Sequence, residues 1–215
     1  LHRLISLTQG APSGPGPAVA FWQFAYDAGG NRTHMIDPLG NVTEYVYDER
    51  GRLSHVIQPD PDGTGPLTAP ETTYDFNCVN NLVGMSDALG RATTYEYDGL
   101  RRMVRAILPD PDGAGPNAAP TVEMAYNNVG RVTSQIDPLG NATAYVYDAM
   151  GRVVSVREAD PDGAGPLTSP VTSFTYDAAG QVLTVTDPLG RVTTYDYDDL
   201  GRVENIIQPD PDGAG

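Results

Sequence analysis

The sequence predicts an all-β protein: one antiparallel β-sheet built from tandem hairpins and winding into a spiral wall, tube or solenoid. Three observations carry that prediction. A frame of 50 residues returns with no insertion or loss, since "DPLG" at residues 37–40 is followed by "DALG" at 87–90 and by "DPLG" again at 137–140 and 187–190. A period of this length marks a stacked or wound architecture. Turn signals recur in fixed columns, and the segments between them alternate with a period of two.

Each period reads as four strands and four connections. In "DPLG" the Asp suits the first position of a type I turn, Pro sets the backbone angle of the second, and Gly accepts a left-handed conformation at the fourth. "YDERG" at 47–51 and "YDAMG" at 147–151 repeat this logic without proline, so both classes close hairpins. Between them, "NVTEYVY" at 41–47 and "RVTTYDY" at 191–197 are rich in Thr, Val and Tyr and read as strands. Stacking the four copies aligns Thr43, Tyr45 and Tyr47 with their translates, while Glu44, Thr94, Ala144 and Thr194 vary. The Tyr side is therefore expected to be packed, with Tyr45, Tyr95, Tyr145 and Tyr195 buried, and the opposite side wet. In the next strand the apolar columns of Leu53 and Val56 lie three residues apart, an odd offset that predicts a bulge after the Gly turn. The hairpin aromatic recurs at Tyr26, Tyr47, Phe76, Tyr97, Tyr126, Tyr147, Tyr176 and Tyr197 in steps that alternate 21 and 29 residues. The longer step carries an additional loop, "PDPDG" from Pro59, Pro109 and Pro209 and "ADPDG" from Ala159. Residues 1–215 read as a single array of four periods, cut within a repeat at both ends, with no separate domain. "HRLISLTQ" from His2 is a degenerate copy of "GRLSHVIQ" from Gly51.

Composition narrows the partners. The 215 residues carry 13 basic against 28 acidic side chains, a formal charge of −15, and every basic residue is Arg. Such a surface repels phosphate backbones, so nucleic acid is not an expected partner. Cys78 is the single cysteine, which excludes a disulfide framework and a cysteine zinc site. No apolar run reaches spanning length, so membrane insertion is not expected, and any export signal would lie outside the 215 residues.

The units "YDERGRL", "YDAMGRV" and "YDDLGRV", each after a "DPLG"-like turn, resemble the YD repeats of the Rhs family, which includes bacterial Rhs proteins, toxin-complex shell subunits and teneurins. The resemblance covers essentially the whole chain, with two YD units per period. It implies a long antiparallel sheet, two strands per unit, spiralling into a wall that in many relatives encloses a hollow interior and a toxin. Two features depart from the family: Asn41, Asn141 and Arg191 stand where a self-cleaving end region carries the Leu of its DPxGL element, and the lockstep period contrasts with the variable units of shells.

No catalytic residue or cofactor is assigned. The Tyr-Asp pairs recur at every hairpin without a nucleophile or histidine partner, which points to packing and turn closure. His2, His34 and His55 share no column, and Cys78 falls in a turn. The Asp loops are the candidate metal positions. Asp60, Asp62, Thr64, Gly65 and Glu71 fall at calcium-loop positions, but Thr121 and Val171 occupy the twelfth place in later copies and prolines interrupt the loop, which excludes a helix-flanked site. A looser calcium site would use the column of Asp60, Asp62, Asp110, Asp112, Asp160, Asp162, Asp210 and Asp212; a solvated acidic rim is the simpler expectation. Glycosylation patterns at Asn31, Asn41 and Asn141 carry little weight, because the last two arise from the residue after a turn Gly.

The expected function is a non-enzymatic structural repeat segment of a large secreted or cell-surface bacterial protein. Its expected partners are neighbouring repeats or copies of itself, in an extended filament or tube, because identical units related by one operation generate an open helix. The alternative is part of an Rhs-type hollow shell that encloses a toxin or effector domain.

Overall fold

The computed structural model describes residues 4, 6–9, 20–113, 115, 117–163, 165 and 167–209. Among them every regular element is a β-strand, and the fold is an antiparallel meander. The chain divides into two compact units, Leu1–Arg102 with Ala106–Ala119, and Met103–Arg105 with Pro120–Gly215. The first contains β1 (Ser6–Gln9), β2 (Ala20–Tyr26), β3 (Arg32–Ile36), β4 (Val42–Tyr47), β5 (Leu53–Ile57), β6 (Glu71–Phe76), β7 (Leu82–Ser86) and β8 (Ala92–Tyr97). Each of these strands pairs antiparallel with the next. The strand β9 (Met103–Ile107) is shared between the units. The second unit contains β10 (Thr121–Tyr126), β11 (Val132–Ile136), β12 (Ala142–Tyr147), β13 (Val153–Arg157), β14 (Val171–Tyr176), β15 (Val182–Thr186), β16 (Val192–Tyr197) and β17 (Val203–Ile207), again paired in order.

Both turn classes close in one way. At 37–41 the Asp37 amide donates to the Asn41 carbonyl at 3.0 Å and the Gly40 amide to the Asp37 carbonyl at 2.9 Å; at 48–52 the same bonds join Asp48, Gly51 and Arg52 at 2.9 Å each. The fourth residue needs a positive φ, +86° at Gly40 and +74° at Gly51, which is the reason for the glycine column. Asn80 and Arg101 occupy the same position at φ 69° and 64°.

The predicted bulge is present and confined to the Tyr-Asp hairpins. Val46 faces His55, but Tyr47 faces Leu53, so Ser54 is the extra residue. The same slip recurs between β2 and β3, β6 and β7, β10 and β11, β12 and β13, β14 and β15, and β16 and β17. The Asp-Pro-Leu-Gly hairpins pair without one. Its effect follows from the period of two: with the bulge, Leu53 opposes Tyr47 and Val56 opposes Tyr45, so both apolar residues reach the aromatic side despite their odd spacing. Rows of aromatic, aliphatic and Thr side chains result, such as Phe24–Met35–Thr43, Tyr74–Met85–Thr93 and Tyr145–Val156–Thr172.

Burial departs from the expectation. Tyr45, Tyr95, Tyr145 and Tyr195 are half-buried, not buried; Glu44 and Thr94 are exposed as expected, while Ala144 and Thr194 are partly covered. Among the described residues only Thr43, Gly84, Thr93 and Ala106 are buried. The reason is geometric: the described residues of each unit form sheet alone, so among them a ring is covered by its neighbours within the sheet and by no second layer. Every residue of β17, which pairs with β16, is exposed, whereas the equivalent β13 between two partners is mostly half-buried. Truncating Tyr145 to Ala should therefore cost about 1.5 kcal/mol in urea unfolding, roughly half the loss for a buried aromatic; a loss above about 3 kcal/mol would show that the ring lies under a further layer.

Candidate functional site

The repeated site is the Tyr-Asp hairpin itself, and its parts interlock from one hairpin to the next. Asp48 Oδ1 accepts the amides of Arg50 at 2.9 Å and Arg52 at 3.0 Å, while Oδ2 accepts Arg52 Nε at 2.7 Å and lies 2.6 Å from its second terminal nitrogen. One carboxylate thus fixes the backbone of the turn and the side chain of the residue after it. The remaining guanidinium edge reaches onward. Arg52 Nη1 donates to the Asn77 carbonyl at 3.1 Å and Asn80 Oδ1 at 3.0 Å, with its plane 4.7 Å from the Phe76 ring. Arg152 repeats the arrangement, held by Asp148, donating to the Asp177 carbonyl at 3.1 Å and lying 4.5 Å from the Tyr176 ring. Three demands fall on one side chain: two bonds converging on one carboxylate oxygen, a third to a carbonyl, and a flat face for a ring. Lys cannot meet all three at once, which favours Arg at the clamp positions. The following hairpin shields the clamp, since Arg52 and Arg152 are 22% and 26% exposed but Arg202 is 74% exposed.

The other half of each period uses variants of the same link. Gln181 Nε2 donates to the Gly201 carbonyl at 2.9 Å, and Arg131 lies 5.7 Å from the Tyr147 ring. Gly151 supplies the φ of +88° here, and the Arg131 guanidinium lies over the space its missing side chain leaves. Tyrosine hydroxyls tie hairpins in the opposite direction. Tyr47, Tyr97, Tyr147 and Tyr197 donate to the carbonyls of Arg32, Leu82, Val132 and Val182 at 2.7–3.0 Å, each acceptor immediately preceding a bulged residue. Tyr126 and Tyr176 bond the Met103 and Val153 carbonyls at 2.7 and 2.6 Å. The bulge disturbs the ladder and the next hairpin's phenol supplies a donor beside it. Phe76 stands in this column without a hydroxyl.

At the Asp-Pro-Leu-Gly turns the carboxylate is held by Arg91 or Arg191 and by the amides of Asn41 or Asn141, with Nδ2 at 2.7 and 2.9 Å in the Asn copies. Asn31 binds Asp27 in the same way at 2.9 Å. All three asparagines of the glycosylation patterns thus spend their side-chain amides on a turn Asp. Of the metal candidates, Asp60 Oδ1 accepts the amides of Asp62 and Gly63 at 3.1 Å, and Asp62 Oδ2 accepts the Leu67 amide at 3.1 Å. Asp110 and Asp112 hold their loop likewise through Asp112 and Asn117, and Asp160 and Asp162 through Asp162 and Leu167. Asp210 and Asp212 lie outside the described residues. No three acidic, His or Cys side chains gather closely enough among the described residues to hold a metal ion. His34 sits 3.1 Å from Thr33 Oγ1 and His55 2.9 Å from Ser54 Oγ; His2 is outside the described residues. Cys78 is exposed in its turn, where its carbonyl accepts Arg50 Nη1 at 2.8 Å.

The onward reach of Arg and the phenol-to-bulge bond were missed by sequence reasoning, although both left a signal: the absence of Lys and the preference for Tyr over Phe before the turn Asp. The model of the RHS Repeat family matches residues 26–64, 79–113, 126–164 and 171–213. The chain belongs to the RHS repeat family. Each match contains one Asp-Arg clamp, Asp48–Arg52, Asp98–Arg102, Asp148–Arg152 and Asp198–Arg202 in turn, so the family signature takes in the clamp each time. Solved structures share the fold. "Crystal Structure of TcdB2-TccC3 without hypervariable C-terminal region" superposes with a TM-score of 0.66 at 14% identity, over 90% of this chain and 10% of that one. TcdB2-TccC3 gives 0.66 at 15% identity, covering 90% and 11%, and the Photorhabdus luminescens Tc holotoxin pore gives 0.61 at 13%, covering 91% and 12%. This RHS segment therefore spans about a tenth of the length of the solved chains it matches. No curated protein matches it.

Two expectations follow. Tyr147→Phe should lower stability by about 1 kcal/mol, and Phe76→Tyr, by offering a hydroxyl to the Leu53 carbonyl, should raise it by a similar amount; urea midpoints measure both, and unchanged midpoints would mean that the bond exchanges evenly with water. Hydrogen bonds from the Arg102 side chain, then its amide, hold Asp98 below the ordinary 3.8, and the Arg52 and Arg91 side chains do the same for Asp48 and Asp87. A depressed folded-state value adds stability that is complete above the unfolded value and is lost as pH falls through the folded one. The melting temperature should thus hold steady from neutrality to about pH 5 and drop below 3.8. Asp98→Asn should melt lower at pH 7 and show a shallower acid decline; an identical decline would place the acid sensitivity elsewhere.

Proposed function

We propose that this RHS segment is a passive, non-enzymatic piece of a β wall belonging to a larger secreted or surface-exposed bacterial protein. The observation that carries this reading is that the repeated polar residues, Tyr, Asp and Arg, are consumed in fastening one hairpin to the next, so the repeat's chemistry is spent on continuity. Its partners in this reading are further repeats on either side. A wall that closes into a shell is favoured by the likeness to toxin-complex structures. It is also favoured by the imperfection of the period: Thr8 pairs with Phe21 where Ile57 pairs with Glu71, a shift of 49 rather than 50 residues, and Asn80 and Arg101 break the glycine column. The second reading, an open filament, rests on the constant step of the other copies. No described helix is long and apolar enough to cross a membrane. Electron microscopy of the parent protein separates the two: a closed hollow particle is expected, and a continuous helical fibre would establish the second reading.

A further inference from the structure

One rim of the sheet carries a row of leucines that the fold leaves in water. In the first unit the connections from β3 to β4, β5 to β6 and β7 to β8 emerge at the strand ends away from the Tyr-Asp clamps, and each bears an exposed leucine: Leu39 at 87%, Leu67 at 57% and Leu89 at 77%. The second unit repeats the row with Leu139, Leu167 and Leu189 at 87%, 56% and 77%. One leucine for every two strands is a spacing of about 10 Å. All six are held in place, because each donates its amide to a carboxylate of its own turn or loop at 2.8–3.2 Å. Exposed columns elsewhere drift: Pro38 becomes Ala88, Asn41 becomes Arg91, and Leu67 becomes Asn117 in the second copy. The most exposed column does not drift, since Leu39 returns as Leu89, Leu139 and Leu189. A fixed, invariant row of apolar side chains in water marks an interaction surface.

We propose that this leucine rim docks on the clamp rim of a second copy of the chain. Two features select that occupant. The first is stagger. The leucine connections follow β3, β5 and β7, whereas the clamp turns follow β2, β4 and β6, so the two rims are offset by one strand. Sheets laid rim to rim with their strands in line therefore set each leucine over a gap between clamp turns. Leu139, between β11 and β12, meets the gap between the turns of Val129 and Met150 in the other copy, whose side chains are themselves exposed. The second feature is charge. On the clamp rim Asp48, Asp98, Asp148 and Asp198 are paired with Arg, and Arg50 and Arg101 stand exposed beside them. On the leucine rim Asp60, Asp62, Asp160 and Asp162 hold amides of their own loops, which leaves their charge uncancelled. Two leucine rims face to face would bring these carboxylates together, whereas a clamp rim brings them guanidinium groups. The contact is heterologous, so each added copy leaves a free rim for the next. This inference rests on the wall reading and names what meets the wall's rim.

The test is sedimentation velocity of the intact chain over a concentration series, with two combined variants. Leu39→Ser, Leu89→Ser, Leu139→Ser and Leu189→Ser together remove the leucine rim; Leu100→Ser, Val129→Ser, Met150→Ser and Leu200→Ser together remove the apolar tips of the clamp rim. Wild-type chain should grow in mass with concentration, and each variant alone should associate at least about ten-fold more weakly. An equimolar mixture of the two variants should form a dimer and nothing larger, because only one intact rim of each kind is then present. Urea midpoints equal to wild type show that the variants are folded. Association of the leucine-rim variant at wild-type strength would overturn the proposal and assign the contact to strand edges. Dimers of the clamp-rim variant alone would overturn the clamp rim as occupant, and a mixture that stays monomeric would overturn the heterologous contact. A wild-type chain that stays monomeric, while the parent protein forms a hollow particle, would overturn the rim contact and leave the wall standing.

Discussion

The bond between a turn Asp and the Arg that follows it is the constraint on which the rest of the molecule depends. A sheet one layer thick cannot rely on a buried core, and among the described residues there is almost none. Its cohesion comes from links along the sheet. The Asp carboxylate closes its own hairpin and aims the guanidinium, which then grips the carbonyl and ring of the next hairpin. Without the Asp the Arg would lose its direction, and the link would become an exposed side chain of little worth.

The bulge and the phenol answer a second difficulty. Packing two apolar residues at odd spacing onto one side requires an extra residue, and that residue interrupts the ladder. The hydroxyl of the following hairpin lands on the carbonyl beside it. Arg pulls a hairpin towards the one after it and Tyr towards the one before it, and where both are present, as at Arg152 and Tyr176, successive hairpins are joined twice. This nearest-neighbour arrangement is what lets a repeat array extend without a global core.

Departures from the pattern are informative for the same reason. Phe76 gives up one link, and Asn77 and Asn80 replace the Asp and Gly of that turn while Arg52 still holds both. At the opposite ends of the strands, the loops keep their Asp carboxylates on their own amides.

The amino-acid sequence by itself determined the strands, the two turn classes, the bulge and the family, because each depends on local geometry repeated in register: Asp and Gly at fixed turn positions, Thr and Tyr two apart, Leu53 and Val56 three apart. Tertiary structure decided what lies 15 to 28 residues away: the carbonyl that receives each phenol, the hairpin that receives each guanidinium, and the half-burial of a Tyr side expected to be buried. Alternation tells which side a residue faces but not whether anything covers that side. A conserved spacing of Tyr and Arg likewise shows that they have partners, whereas only the pairing of strands brings those partners within bonding distance.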